Sequence, residues 1–322
     1  MNNPVFVHLD VNTEYSLGRS TIRRDELIDA CIDMGMPAFG VTERDNLFSA
    51  YKIFKSSQKK GIKYIIGSTI TIIDEVEHSK CKLSLLCQNE IGYKNLCGLI
   101  TQSYIKGLSK SEPLIDLKWL DGQTDGLIAI SSYNSGYLQD SKSMDDSTSL
   151  EKVSRLQGLF PERLFLSISR MGIPNEEKIN KSMIEMSSKF NIPIVAVNNP
   201  IFLEKDDFLS LDARVCIDQG TILDDQRRSK DYTSEQYFKS SEEMAELFAD
   251  IPEALSNTIV IAEMCNFGFE NTEHVLPDFE TPKELSIDEY LEQKANEGLQ
   301  KILPNDTKDL SIYQKRLNDE IE

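Results

Sequence analysis

The chain has 322 residues, 40% of them hydrophobic, and a formal net charge of -18. That length suits one large α/β domain, or one domain with part of a second, and permits a core of useful size. The charge excludes an autonomous nucleic-acid binder, which needs a basic surface to neutralise phosphates, and no apolar run approaches the ~20 residues that span a bilayer. The opening Met1-Asn2-Asn3-Pro4 carries neither the basic nor the apolar segment of a secretory signal. Cys31, Cys81, Cys87, Cys97, Cys216 and Cys265 are scattered, with no C-x-x-C pair. They read as reduced, buried thiols of a cytoplasmic protein rather than as disulfides or a zinc site.

In chain order, apolar runs predict strands at 5–9, 38–41, 63–73, 82–87, 127–130, 164–168 and 192–197. Several are apolar on both faces, as strands of a covered parallel sheet are. A helix is expected over 25–34, with Leu27, Ile28 and Cys31 on one face and Gly35 as its stop. The Ser- and Asp-rich stretch 139–151 reads as a solvated loop or as the start of a helix near Leu150. Ile179, Met183, Met186 and Phe190 step by four, three and four, the core face of another helix. Beyond Asn199 the pattern is helical. One helix opens at Ser241; the next opens at Asp250-Ile251-Pro252-Glu253, with Asp250 as a candidate cap. Ser286 and Glu289 form a capping box for a helix to about 303. Leu310, Tyr313, Leu317 and Ile321 then step by three and four with no stop signal, which reads as a helix cut in mid-pattern in a truncated protein. Strands alternating with helices in this way predict a (β/α) barrel or a doubly wound sheet.

Only His8, His78 and His274 supply imidazole. Residues 5–16 read as a strand running into a metal-binding type of loop. At the spacing of two imidazoles, that loop offers Asp10 and Asn12. The sequence has no P-loop, dinucleotide fingerprint, G-x-S-x-G elbow or zinc spacing.

A longer set of short matches points to a family. His8-Leu9-x-Val11-x-x-x-Tyr15-Ser16 is followed by Gly35-Met36-Pro37-Ala38, Thr42, Asn46-Leu47, Gly61-Ile62-Lys63, Ile66-Gly67 and Asn89-x-x-Gly92-Tyr93-x-Asn95-Leu96. Later come Ser241-Glu242-Glu243-Met244, Leu247-Phe248, the run from Asp250 to Thr258, Ile261-Ala262, Cys265-Asn266, Leu276-Pro277-x-Phe279, and Tyr290-Leu291 to Gly298-Leu299. In this order they resemble the start of the alpha subunits of bacterial DNA polymerase III, over essentially the whole chain.

The resemblance implies an N-terminal PHP (polymerase and histidinol phosphatase) module. Its fold would be α/β, a distorted (β/α)7 TIM-like barrel over 1–275. Residues 276–322 would be a helical extension leading into the polymerase palm and thumb. In relatives that keep the metal site, His, Asp and Glu at the strand ends hold ions that make hydroxide from water for phosphoester hydrolysis. Carried over position by position, the His-x-His pair falls on Asp10 and Asn12, and the following Asp-His on Glu43 and Arg44. The acid after Gly67 falls on Thr69 and the next His on Lys82. The Glu and His around Arg170-Met171-Gly172 fall on Ser167 and Met171, and the final Asp-x-His on Asn199 and Ile201. Asp10 and Glu43 alone keep hard donors. With Lys82 and Arg44 they are expected to form a salt-bridge cluster that needs no metal. His8 precedes the ligand pair and reads as a hydrogen-bonded barrel histidine, while His78 and His274 show no ligand spacing.

On this reading the chain has no catalytic residue, metal or cofactor of its own; magnesium is expected only for the full polymerase. Pro277-Asp278-Phe279-Glu280 looks like the start of the palm's acidic motif, but Thr281-Pro282 follow where a third carboxylate belongs. The implied partners are the rest of the alpha subunit, the proofreading exonuclease (epsilon) subunit docked on the module, and other replicase subunits through a C-terminal part. DNA is implied only through the full-length protein, and a membrane not at all. A free-standing metal-dependent phosphoesterase is the alternative, opposed by the missing histidines. An adaptor working outside a polymerase is a third reading, opposed by the exposed stripe at 310–321.

Overall fold

The computed structural model describes residues 5–73, 80–109, 112–132, 138, 147–225, 227–228, 230–270, 279–282, 285–303 and 309–321. His78, His274, Pro277, Asp278 and residues 139–146 of the expected loop lie outside the described residues. The chain divides into two compact units, Met1–Phe269 and Glu270–Glu322.

The first unit is built on a curled sheet. Its strands are β1 (Ala38–Arg44), β2 (Lys63–Ile73) and β3 (Lys80–Cys87). A small ribbon of β4 (Leu108–Ser109) and β5 (Glu112–Pro113) follows, and β6 (Ile115–Asp116) lies parallel to the end of β2. The sheet continues with β7 (Leu127–Ser131), β8 (Leu164–Ser169) and β9 (Ile194–Val197), in the order β1-β2-β3-β7-β8-β9. The pairs β1–β2, β7–β8 and β8–β9 are parallel, whereas β3 runs antiparallel to both neighbours. Too few residues separate Ile73 from Lys80 for a crossover helix, so β3 must return as a hairpin partner.

The expected strand at 5–9 is not regular. Residues 8–12 do lie beside β1: Gly40 N–H donates to His8 O, Val11 N–H to Gly40 O at 3.1 Å and Thr42 N–H to Val11 O at 2.9 Å. A regular parallel ladder would send Gly40 N–H to Leu9 O. The one-residue slip is a bulge that leaves only the bridge Val11↔Val41. Gly40 permits it, since a Cβ there would lie 2.9 Å from Leu9 O. The other edge of this segment meets the end of the sheet, where Asn12 N–H donates to Pro200 O at 3.1 Å. The N-terminal segment thus closes the sheet into a distorted barrel.

The pleat then sorts the core into two layers. Leu9, Ala38, Ile65, Leu86, Ile128, Phe165 and Val195 point into the barrel and are buried there with Ile261, Ala262 and Cys265 of α8 (Pro252–Met264) and its C-cap. Alternate residues such as Phe39, Val41, Ile66, Leu83, Leu85 and Leu166 face outward. They meet α1 (Arg24–Asp33), α2 (Ala50–Lys60), α3 (Glu90–Lys106), α4 (Ser147–Leu159) and α5 (Glu176–Phe190). The stripe expected on α5 is present, with Met183 and Met186 buried. α8 seats itself by polar contacts as well: Thr258 Oγ1 accepts Val7 N–H at 3.2 Å, and Asn257 Nδ2 donates to Ile194 O at 2.7 Å.

Two expectations about the later chain need correction. Asp250 does not cap α8. Its carboxylate is ion-paired with Arg170 at 2.7 Å, and Ile251 holds the cap position. The chain beyond Asn199 is not helical throughout: the described residues between α6 (Phe208–Gln219) and α7 (Ser241–Leu247) form no regular element, and Tyr237 among them makes a bridge to Phe202. The capping box of α7 uses Ser240 with Glu243. In the second unit, α9 (Ile287–Ile302) starts at the expected box of Ser286 and Glu289, and α10 (Leu310–Ile321) follows. Neither helix has a buried residue within this chain. Among the described residues no helix is long and apolar enough to cross a membrane.

Candidate functional site

The barrel's apolar interior gives way to polar groups at the end where β1, β2, β7 and β9 terminate, the end where parallel barrels place their chemistry. A cavity of about 60 Å³ opens there, lined by Asp10, Asn12, Arg44, Thr69, Lys82, Ser84, Ser131, Ser132 and Asn199 above Ile130 and Val197. A second, of about 70 Å³, shares Asn12, Arg44, Lys82 and Asn199 and extends to Arg19, Ile201, Asp231, Tyr232 and Gln236. Seven of the ten carried-over positions therefore meet around one mouth: Asp10, Asn12, Arg44, Thr69, Lys82, Asn199 and Ile201.

The remaining three lie elsewhere. Ser167 shares the inward face of β8 with Phe165 but lines neither cavity; it is buried against Ser131, to whose Oγ its N–H donates at 2.8 Å. Met171 is fully buried; its N–H donates to Glu176 Oε1 at 2.7 Å and its carbonyl accepts from Thr233 Oγ1. Glu43 is turned to the other face of β1, because neighbouring residues of a strand point in opposite directions and Arg44 takes the inward place. Outside the barrel its carboxylate accepts from Thr13 N–H at 3.2 Å, Ser49 Oγ at 2.9 Å, Thr13 Oγ1 and Ser16 Oγ. Burial pushes its pKa up against the pull of these donors.

The expected salt-bridge cluster is accordingly absent among the described residues. Glu43 and Asp10 have no cation within ion-pair distance, and Arg44 approaches Asp45 at 3.7 Å instead. Asp10 is held by neutral groups. Its Oδ2 accepts Asn199 N–H at 2.9 Å, its backbone carbonyl accepts Asn199 Nδ2 at 2.8 Å, and Oδ1 is buried without a partner. Burial pushes the Asp10 pKa up to about 7. Asn199 achieves this grip with a positive φ of 38°, a conformation asparagine tolerates better than most residues. The Lys82 ammonium is pushed down by burial first and by the Arg44 charge second.

His8 alternates with the inward Val7 and Leu9 and packs among outer-layer residues. It is fully buried between Phe6 and Phe238, with Nε2 at 2.8 Å from Lys239 O and Nδ1 without a partner. Burial lowers its pKa to about 4, so the ring is neutral near pH 7. Among the described residues no three His, Cys, Asp or Glu side chains come close enough together to hold a metal ion. The resemblance did not flag Ser84, Arg19 or Gln236. Ser84 was open to discovery, since it stands two residues from Lys82 on the same face of β3. Arg19, paired with Asp231 at 2.9 Å, reaches the mouth only through a contact between distant parts of the chain.

A family model described as PHP domain matches residues 8–171, half of the chain. The chain belongs to the PHP domain family. It is similar to the DNA polymerase III subunit alpha of Pseudomonas fluorescens, 36% identical over 328 residues that make up 98% of this chain and 28% of that protein. The subunit of the same name from Escherichia coli (strain K12) is 35% identical over 335 residues, 100% of this chain and 28% of the relative. The chain thus spans 28% of the length of these curated relatives. Among solved structures, an amidohydrolase from Chromobacterium violaceum overlays with a TM-score of 0.45 at 9% identity, covering 65% of this chain and 97% of that one.

Proposed function

We propose that the chain is the PHP module of a replicative DNA polymerase III alpha subunit, and that it works there as framework rather than as a hydrolase. One observation carries the second half of this reading: Lys82 and Arg44 line a cavity whose inner wall has Asp10 as its single acid. A divalent metal needs several oxygen or imidazole donors, and two fixed positive charges beside it raise the cost of holding it. Asn12 adds only one neutral donor, its Oδ1, while its Nδ2 donates to Thr42 O at 2.6 Å. The donor set does not fit a metal ion, and no hydrolytic step runs through one.

Polymerisation with magnesium, contact with DNA, further replicase subunits and a cytoplasmic place of work belong to this proposal as properties of the whole alpha subunit. The net charge of -18 supports a surface that meets protein rather than DNA, in keeping with docking of the proofreading exonuclease. The test uses the purified chain, stripped with chelator and then offered manganese or zinc. The expected result is no stoichiometric metal by elemental analysis and no phosphomonoester hydrolysis. Metal-stimulated hydrolysis that disappears in Asp10→Ala would overturn the framework reading. Co-purification with the cognate exonuclease subunit tests the docking role, which fails if the two proteins elute apart at micromolar concentration.

A further inference from the structure

We propose that the barrel mouth is a metal-independent binding site for a small tetrahedral oxyanion of the phosphate class, with Lys82 and Arg44 as its cationic walls. The inference deepens the framework reading and rests on it, because the fixed side-chain cations stand in the space that a metal would need.

Both cations are short of partners. Among the described residues the Lys82 ammonium makes no hydrogen bond and no ion pair. The Arg44 guanidinium makes no hydrogen bond, and its one ion pair, to Asp45, is long at 3.7 Å. A partly buried ammonium and guanidinium left unsatisfied are costly unless something else meets them. They flank the space shared by the two cavities, whose volumes of about 60 and 70 Å³ hold a few waters or one compact oxyanion. The two cavities together have Arg19, Arg44 and Lys82 against Asp10 and Asp231, a local excess of one positive charge in a chain whose total is -18. Anything cationic would be drawn to the rest of this surface, whereas the mouth favours an anion.

The remaining lining is suited to the same ligand. Ser84 on the inner wall supplies a hydroxyl, while the buried Gln236 is committed to the chain itself, its Nε2 donating to Asn199 O at 3.2 Å. Thr69 Oγ1 and Ser84 Oγ share one hydrogen bond at 2.9 Å, so one of the two hydroxyls keeps its proton for another acceptor. Arg44 offers the planar fork that fits two phosphate oxygens, and Lys82 a point charge for a third. No nucleophile, general base or metal is needed, because the site binds and does not turn over its ligand.

The experiment is calorimetric titration of the full chain with inorganic phosphate, in EDTA and at ionic strength matched with chloride. Far-UV circular dichroism confirms that each variant is folded. Saturable binding is expected, weakened about tenfold or more in Lys82→Met and in Arg44→Gln. It should be unchanged in Lys94→Met, whose ammonium pairs with Glu90 on the exposed side of α3. Glycerol phosphate in a parallel titration separates sources: equal affinity assigns the site to the end of a phosphorylated molecule, and loss of affinity assigns it to the free ion. No binding in EDTA or with metal overturns the oxyanion site and leaves the framework reading standing, as does binding that Lys82→Met and Arg44→Gln both leave intact. Binding that appears only when manganese or zinc is added overturns both.

Discussion

The carboxylates of Glu43 and Asp10 are both hidden from water, at 1% and 5% exposure, and their surroundings are opposite. Glu43 lies outside the barrel wall in a nest of four donors from Thr13, Ser16 and Ser49. Two of those hydroxyls are themselves oriented: Ser16 Oγ accepts Arg44 N–H at 3.1 Å, and Thr13 Oγ1 accepts Tyr15 N–H at 3.3 Å. Asp10 lies inside the wall with one oxygen held by Asn199 and the other unpartnered. A satisfied buried acid stiffens the loop it ties down, whereas an unsatisfied one marks a place where the fold has left room for something else. One acid is thus part of the scaffold and the other part of the mouth.

The sharpest way to break this contrast is to remove the satisfied acid. Glu43→Ala strands four buried donors and opens a void, so a loss of about 3–5 kcal/mol is expected by urea unfolding. Asp10→Ala strands fewer donors and should cost clearly less. Equal losses would mean that the two sites are the same kind of site.

A second test uses pH, where Asp10 at the mouth and the buried His8 pull in opposite directions. Asp10 rises from 3.8 to about 7, so across that interval the folded chain holds a proton that the unfolded chain has released, and stability falls as pH rises. His8 falls from 6.5 to about 4, so across that interval the unfolded chain holds the extra proton, and stability rises with pH. The windows overlap between about 4 and 6.5, and the two slopes offset each other. Asp10→Asn should expose a rising profile and His8→Gln a falling one, each on the order of a few kcal/mol across the window. The check is urea unfolding at both ends of that window. Profiles that stay parallel to the parent chain would show that neither group titrates as its burial implies.

How far the sequence led depends on which structural period was at work. Apolar runs located β2 to the residue and β1, β3, β7, β8 and β9 within three residues at either end, because burial on both faces leaves a continuous apolar signature. The segment at 5–9 was apolar too, but the slip against Gly40 is a property of the pairing and leaves no mark in the composition. The antiparallel β3 was hidden for the same reason, since a strand's direction is set by the length of its connection. At the site, seven of the ten aligned motif positions lie around the same mouth. Placing Glu43 and Arg44 together failed on the two-residue pleat, which sends one outward and the other inward. Asp250 illustrates a smaller error at a helix end, where a cap depends on which nearby group competes for it, here Arg170.

The smallest expected effect has the opposite sign. Lys82 keeps its stem against the inner wall, and burial together with Arg44 disfavours its charge. Removing that charge while retaining the stem relieves a cost that the Asp231 and Asp45 charges repay only in part. Lys82→Met should therefore raise the unfolding midpoint, by an amount equivalent to about 1 kcal/mol. A residue that serves the scaffold cannot behave this way, since Glu43→Ala removes partners and Lys82→Met removes none. If Lys82→Met destabilises the chain instead, the ammonium has a structural partner and the division between nest and mouth is wrong. If it stabilises the chain and also loses the oxyanion, the mouth has kept a charge at the expense of stability, as a binding site does and a structural barrel end has no reason to do.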